Sequence, residues 1–230
     1  MDNKYVYLIT GIFSFLIWIL FYALRKDLRR KLIKVSLFGG FAGLISEYWY
    51  FKDYWQPHSI FGIKTISPED FIFGFSIAGI SVVVYDIFFK TTDEAFFINN
   101  KKIFGLMILM SIGSFFLFID YLGYNSIFVT SITLIIFTIY MLIQRSDLWK
   151  EALFSGLIVL IMAFVSYHII FNFIFLDFWD KYWLLSKTKY GITIYGNIPL
   201  TELLWYWTWG SFAGVAYNFA SGKRKIPFSK

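Results

Sequence analysis

Cysteine is absent from the 230 residues, which excludes disulfides and cysteine-based metal centres. Histidine is nearly absent: His58 and His168 are too few and too scattered for a histidine-rich metal site. There is no G-x-G-x-x-G fingerprint, no Walker loop and no H-E-x-x-H, and no nucleophile stands beside a base. Neither a metal nor a cofactor is expected. Charge is also scarce: 16% of residues are charged, against roughly 25% in a soluble domain.

Apolar side chains fill that space. Hydrophobic residues make up 58% of the chain and mean hydropathy is +0.63. Several apolar runs reach the roughly 20 residues needed to cross a bilayer. A soluble fold would leave far too much of this surface wet. The expected class is therefore all-α: a polytopic membrane helical bundle. The net charge of +6 fits basic cytoplasmic loops, and a nucleic-acid partner does not follow from it.

Seven spans are read from the chain: Tyr5–Leu24, Val35–Phe51, Pro68–Phe89, Ile103–Leu122, Ser126–Ile143, Glu151–Phe175 and Ile198–Ala220. Lys90–Lys102 reads as a polar loop and Gly222–Lys230 as a basic tail. Of the 21 lysines and arginines, 15 fall in the loops after spans 1, 3 and 5 and in the tail. Basic loops face the cytoplasm, so the N-terminus is expected outside and the C-terminus inside, in the cell membrane.

One pattern occurs twice. Phe51-Lys52-Asp53-Tyr54-Trp55, Gly62-Ile63, Pro68-Glu69-Asp70 and Tyr85-Asp86 are echoed by Phe175-Leu176-Asp177-Phe178-Trp179, Gly191-Ile192, Pro199-Leu200-Thr201-Glu202 and Tyr217-Asn218. Asp70 pairs with Glu202 at a spacing of 132, and Asp53 with Asp177 at 124, which sets Glu47 opposite Phe171. The order of unusual residues repeats although identity is low. It predicts a parallel internal repeat of two three-helix units, 1–102 and 126–230, joined by a connecting helix within 103–125.

The candidate chemistry lies in acids placed in or beside spans. Glu47 sits near the end of span 2, Glu69 and Asp70 open span 3, and Glu202 opens span 7. Ionisable groups there are costly and usually face a protein interior. A parallel repeat brings the two helix starts to one depth, so the four carboxyls are expected to converge, Glu202 lying within about one side-chain length of another. Phe73, Trp205 and Trp209 are candidates to line a cation's path, since aromatic faces stabilise positive charge. His168 and Asn172 put polar groups on one face of span 6 and are further substrate-binding candidates, although pairing with a neighbouring helix is the commoner role. Asp53 and Asp177 are expected to order the loops.

Pro199-Leu200-Thr201-Glu202, following Trp179 and Gly191-Ile192, resembles the lycopene cyclase domain of the integral-membrane, heterodimeric-type carotenoid cyclases. The resemblance covers both units. It implies a polyisoprenoid or carotenoid substrate and an acid-initiated isomerisation, with Glu202 or Glu69 as proton donor and a partner carboxylate as base. Thr201 stands where that family's motif has its first glutamate. The alternative is a non-catalytic polyisoprenoid- or lipid-binding membrane protein of the same fold, alone or as a homo- or hetero-oligomer. A rhodopsin-like photoreceptor is disfavoured because span 7 has no lysine for a Schiff base. An ion channel or transporter stays open on the polar interior residues, although no broken-helix pattern is clear.

Overall fold

A computed structural model describes residues 3–62 and 65–228. Ile63 of the Gly62-Ile63 pair and Lys230 at the end of the basic tail lie outside the described residues. The chain is mostly helical. Seven long helices are present among the described residues: α1 (Val6–Leu24), α2 (Arg29–Asp53), α3 (Pro68–Phe88), α4 (Lys101–Ser114), α5 (Ser126–Gln144), α6 (Trp149–Ile169) and α8 (Leu200–Ser221). Wider π-type turns extend α4 through Phe115–Tyr121 and α6 through Ile170–Ile174; α7 (Phe178–Tyr182) is short. Among the described residues, five segments are long and apolar enough to cross a membrane: Val6–Leu24, Pro68–Phe88, Lys101–Tyr121, Ser126–Gln144 and Ser146–Ile174. α2 and α8 have the length but are less apolar.

α3 and α8 form the centre and pack on each other. α1 and α2 pack around α3, and α5 and α6 around α8. The close approaches are made by small residues. A Cβ on Gly74 would stand 2.5 Å from the Gly39 carbonyl, so α2 and α3 touch backbone to backbone there. Such contacts drive helix association where lipid removes the hydrophobic incentive. α3 begins as its sequence dictates: Pro68 fills the first helical position, and the Asp70 carboxylate accepts the Ser67 N–H at 2.6 Å in a capping box. α4 lies at the periphery, against α5 and α8, with most of its surface exposed.

The expected polar loop and basic tail each contain a strand. Thr91–Ala95 (β1) pairs antiparallel with Lys223–Pro227 (β4), with Asp93 opposite Lys225. Hydropathy could not register them, because the pairing joins residues far apart in sequence at one end of the bundle. α8 ends at Gly222, whose φ of 67° turns the chain into β4. Beneath the strands lies a buried ionic cluster. Lys31 contacts Asp86 and Asp93, both at 3.0 Å, and Lys225 contacts Asp86, Asp93 and Glu151 at 2.7 to 3.0 Å. Asn218 donates to Asp93 and Glu151, each at 3.0 Å. Burial alone would raise the Asp93 carboxyl, but Lys31 and Lys225 hold it well below the carboxylate range. Burial would lower the Lys225 ammonium, but Glu151, Asp86 and Asp93 hold it above the usual lysine value.

At the opposite end the two long loops lie against each other. Trp55 bridges Trp183, Gln56 N–H donates to the Tyr182 carbonyl, and Leu184 N–H donates to that of Tyr54. Thr193–Ile194 (β2) and Ile198–Pro199 (β3) pair just before α8. This end holds the four candidate carboxyls.

Candidate functional site

Glu47, Glu69, Asp70 and Glu202 are between 1 and 8% exposed, so all four are removed from solvent. None takes part in an ion pair among the described residues, in contrast to the compensated cluster under the strands. A buried carboxyl without a cation must be satisfied by hydroxyls and amides.

Glu202, in the first turn of α8, is held by two tyrosines. Tyr54 donates to one oxygen at 2.6 Å and Tyr167 to the other at 2.8 Å. The Tyr54 hydroxyl also lies 3.1 Å from the Thr201 hydroxyl, and Tyr206 lies 3.2 Å from Tyr167. Tyr54 reaches Glu202 because the paired loops draw the end of α2 over the start of α8. Asp70 accepts from the Tyr7 hydroxyl at 2.5 Å on one oxygen and from Ser67 on the other. Glu69 turns into the loop before α3, where it accepts from Ser59 at 3.1 Å and from the Ile60 N–H at 2.7 Å. That position anchors the loop.

Glu47 and Asp70 line one small cavity of about 10 Å³ with Tyr7, Ser59 and Ser67. This space suits a single water. Glu47 also lies within electrostatic reach of Asp70 and Glu202. The carboxyls thus gather at one end, but no hydrogen bond between two of them is present among the described residues. Glu202 has its own hydroxyl cage.

Aromatic rings fill the space between the cages. Tyr7 packs edge-on against Trp55 with centroids 4.7 Å apart, and Phe73 stacks on Trp205 at 6.2 Å and meets Tyr206 edge-on at 6.3 Å. Trp209 stacks parallel on Trp205 at 5.7 Å, one turn further from Glu202. The Trp205 indole donates to Tyr50 at 3.0 Å. Phe73 therefore lies between Tyr7, which serves Asp70, and Tyr206, which touches the Tyr167 that serves Glu202, and Trp205 packs on it. His168 and Asn172 are engaged elsewhere. Asn172 lies 2.8 Å from His168 Nδ1, donates to the Tyr195 carbonyl and accepts the Asn197 N–H. Together they clasp the loop before α8. Asp53 caps α5 by accepting from Ser126 N–H and hydroxyl, and Asp177 pairs with Lys181.

Tyr7, Tyr54, Tyr167 and Tyr206 are the functional side chains that the sequence reading missed. One signal was present: Tyr206 follows Glu202 by one helical turn. The others reach the site from α1, α2 and α6, and only three-dimensional packing brings them there.

Compared with protein-family models, curated proteins and solved structures, the chain matches none of them.

Proposed function

We propose that the chain is an integral membrane, acid-initiated isoprenoid end-group cyclase of the lycopene cyclase type. The observation that carries this reading is Glu202: a buried carboxyl with no cation among the described residues, held by Tyr54 and Tyr167, with the Thr201 hydroxyl against Tyr54, beside a wall of Phe73, Trp205 and Tyr206. The reaction needs a carboxylic acid that protonates a terminal alkene. Ring closure then moves the positive charge, and a carboxylate takes a proton back, so the product is an isomer of the substrate. Glu202 is the proposed donor. Glu47 and Asp70, sharing a cavity across the aromatic wall, are the proposed base. The rings of Phe73 and Trp205 would face the cation.

The membrane setting and the repeat belong to the same proposal. Five long apolar segments support seven spans, with the strand end cytoplasmic and the carboxylate end outside. Two related three-helix units are supported by matched contacts. Arg25 binds Asp27 through Nε and Nη2 in the turn between α1 and α2, and Arg145 binds Asp147 in the same way between α5 and α6, 120 positions on. Lys31 meets Asp86 as Glu151 meets Asn218. Ser36 faces Gly79, and Gly156 faces Ser211, the same contact with partners exchanged.

A second reading is a non-catalytic lipid-binding protein of this fold. Thr201 in place of an acid favours it, as do the small cavities. Expression in a lycopene-accumulating host separates the two. Cyclised end groups formed by the wild type and lost in Glu202→Gln support the enzyme. Their absence from a correctly inserted wild type leaves lipid binding.

A further inference from the structure

The two halves of the bundle meet along two seams. One, between α2 and α5, is closed by polar contacts. Asp53 accepts from Ser126 N–H at 2.8 Å, Asn125 donates to the Asp53 carbonyl at 2.7 Å, and Tyr50 donates to Thr130 at 2.9 Å. The other seam lies between α1 and α6. At the spacing of 120, its residues opposite Tyr50, Asp53 and Ser126 are Ile170, Phe173 and Val6. Thr10 still matches Thr130 but has only its own helix to bond, donating to the Val6 carbonyl. Among the described residues every other polar closure of the first seam is missing from the second, and α1 and α6 make little or no direct contact.

A cavity of about 30 Å³ occupies this open seam. Phe13, half-exposed on the outer face of α1, stands at its mouth. Ser14 and Ser166 line it, yet both hydroxyls are satisfied by carbonyls of their own helices, at 3.1 and 2.7 Å. The walls thus offer apolar surface and no unmet hydrogen bond. Only the inner end is polar in effect: Tyr167 and Tyr206 line it, and Tyr167 donates to Glu202.

We propose that the seam between α1 and α6 is a lateral gate, through which the apolar chain of a polyisoprenoid enters from the bilayer and brings its end to Tyr167 and Tyr206. The chain class rests on the function proposed above; the gate itself rests on the asymmetry of the two seams. The space as it stands holds about two water-sized groups. Entry therefore requires α1 to move away from α6, which breaks no hydrogen bond across that seam among the described residues.

The test is photolabelling of the purified full chain with a diazirine-bearing geranylgeraniol, competed by plain geranylgeraniol, with adducts mapped by peptide mass spectrometry. Competable adducts should concentrate in residues 10–17 and 159–167. Ala163→Trp, which plugs the cavity, should abolish them. Phe13→Ala, at an exposed position that does not endanger folding, should raise them several-fold. Glu202→Gln should leave them in place, because labelling requires no turnover. Adducts spread over α4 and α5, or unmoved by Phe13→Ala, overturn the gate. A gate labelled as expected on a protein that forms no cyclised product would sink the cyclase reading alone.

Discussion

Lys225 faces Asp93 across the β1–β4 pair with their charged atoms 2.7 Å apart, and the two residues stand 132 positions apart, the spacing that separates Asp70 from Glu202. An antiparallel pair has a local two-fold axis through its central residues. The proposed repeat therefore has its axis at this ion pair, and the two units are clasped by their own C-terminal strands. Removing one partner from a buried pair costs about 3–5 kcal/mol, because the other charge is left uncompensated.

Asp93→Asn should accordingly lower thermal stability, and the pH dependence of the loss has a defined sign. The folded Asp93 carboxyl is depressed, so its contribution is complete above the unfolded value near pH ~3.9 and is lost as pH falls below it. Lys225 is raised, so its contribution is complete below about pH 10.4 and is lost as pH rises beyond that. Between those limits the gap in melting temperature between wild type and Asp93→Asn should stay constant, and below about pH 4 it should close. A gap that widens on acidification would contradict the linkage.

Tyr167→Phe and Glu202→Gln separate support from chemistry. Phenylalanine removes one of two tyrosine donors to Glu202 and leaves Tyr54, for a stability cost of about 1–3 kcal/mol. Glutamine keeps an acceptor for one tyrosine, presents an amide N–H to the hydroxyl oxygen of the other, and cannot deliver the proton. In the lycopene-accumulating host, Tyr167→Phe should reduce cyclised product and Glu202→Gln should abolish it, at equal membrane expression. Full activity of Glu202→Gln would move the donor to the first unit.

Asp53→Ala should destabilise without touching the acids. The variant removes the carboxylate that accepts the Ser126 N–H and hydroxyl at the start of α5, leaves the Asn125 cap in place, and opens the closed seam. Loss of a capping carboxylate costs about 0.5–2 kcal/mol. Detergent-denaturation curves should show this for Asp53→Ala and little for Asp177→Ala, whose ion pair with Lys181 is more than half exposed.

The helices were legible because their signals are local. Apolar runs mark their lengths, and Pro68 after Ser67 marks the start of α3. The burial of Glu47 and Glu202 was legible from the same runs. The register of the proposed repeat was not. The aromatic-loop motifs align at 124 and set Glu47 opposite Phe171, but the turns at Arg25 and Arg145 align at 120 and set it opposite Tyr167. The wide turn at Ile170–Ile174 lies between these two registers. With that register the acids fall into order: Glu47 shares a cavity with Asp70, as Tyr167 binds Glu202. The strand clasp was illegible because neither strand is apolar and each needs a partner far along the chain.

Orientation is the remaining prediction, and charge placement fixes its sign. Lys26, Arg29, Arg30, Lys34, Lys150 and Arg224 all lie at the strand end, around β1, β4 and the two short turns. The loops over the carboxylate end carry few basic residues, and those of the second loop, Lys181, Lys187 and Lys189, sit among Tyr182, Trp183 and Tyr190. The basic end is expected to face the cytoplasm, because basic loops are retained there during insertion. A reporter fused after Lys230 should read cytoplasmic, and one inserted in the loop between Tyr182 and Gly191 should read external. The reverse pattern would place Glu202 and its tyrosine cage on the cytoplasmic side. The gate between α1 and α6 would be unaffected, since it opens into the bilayer from either orientation.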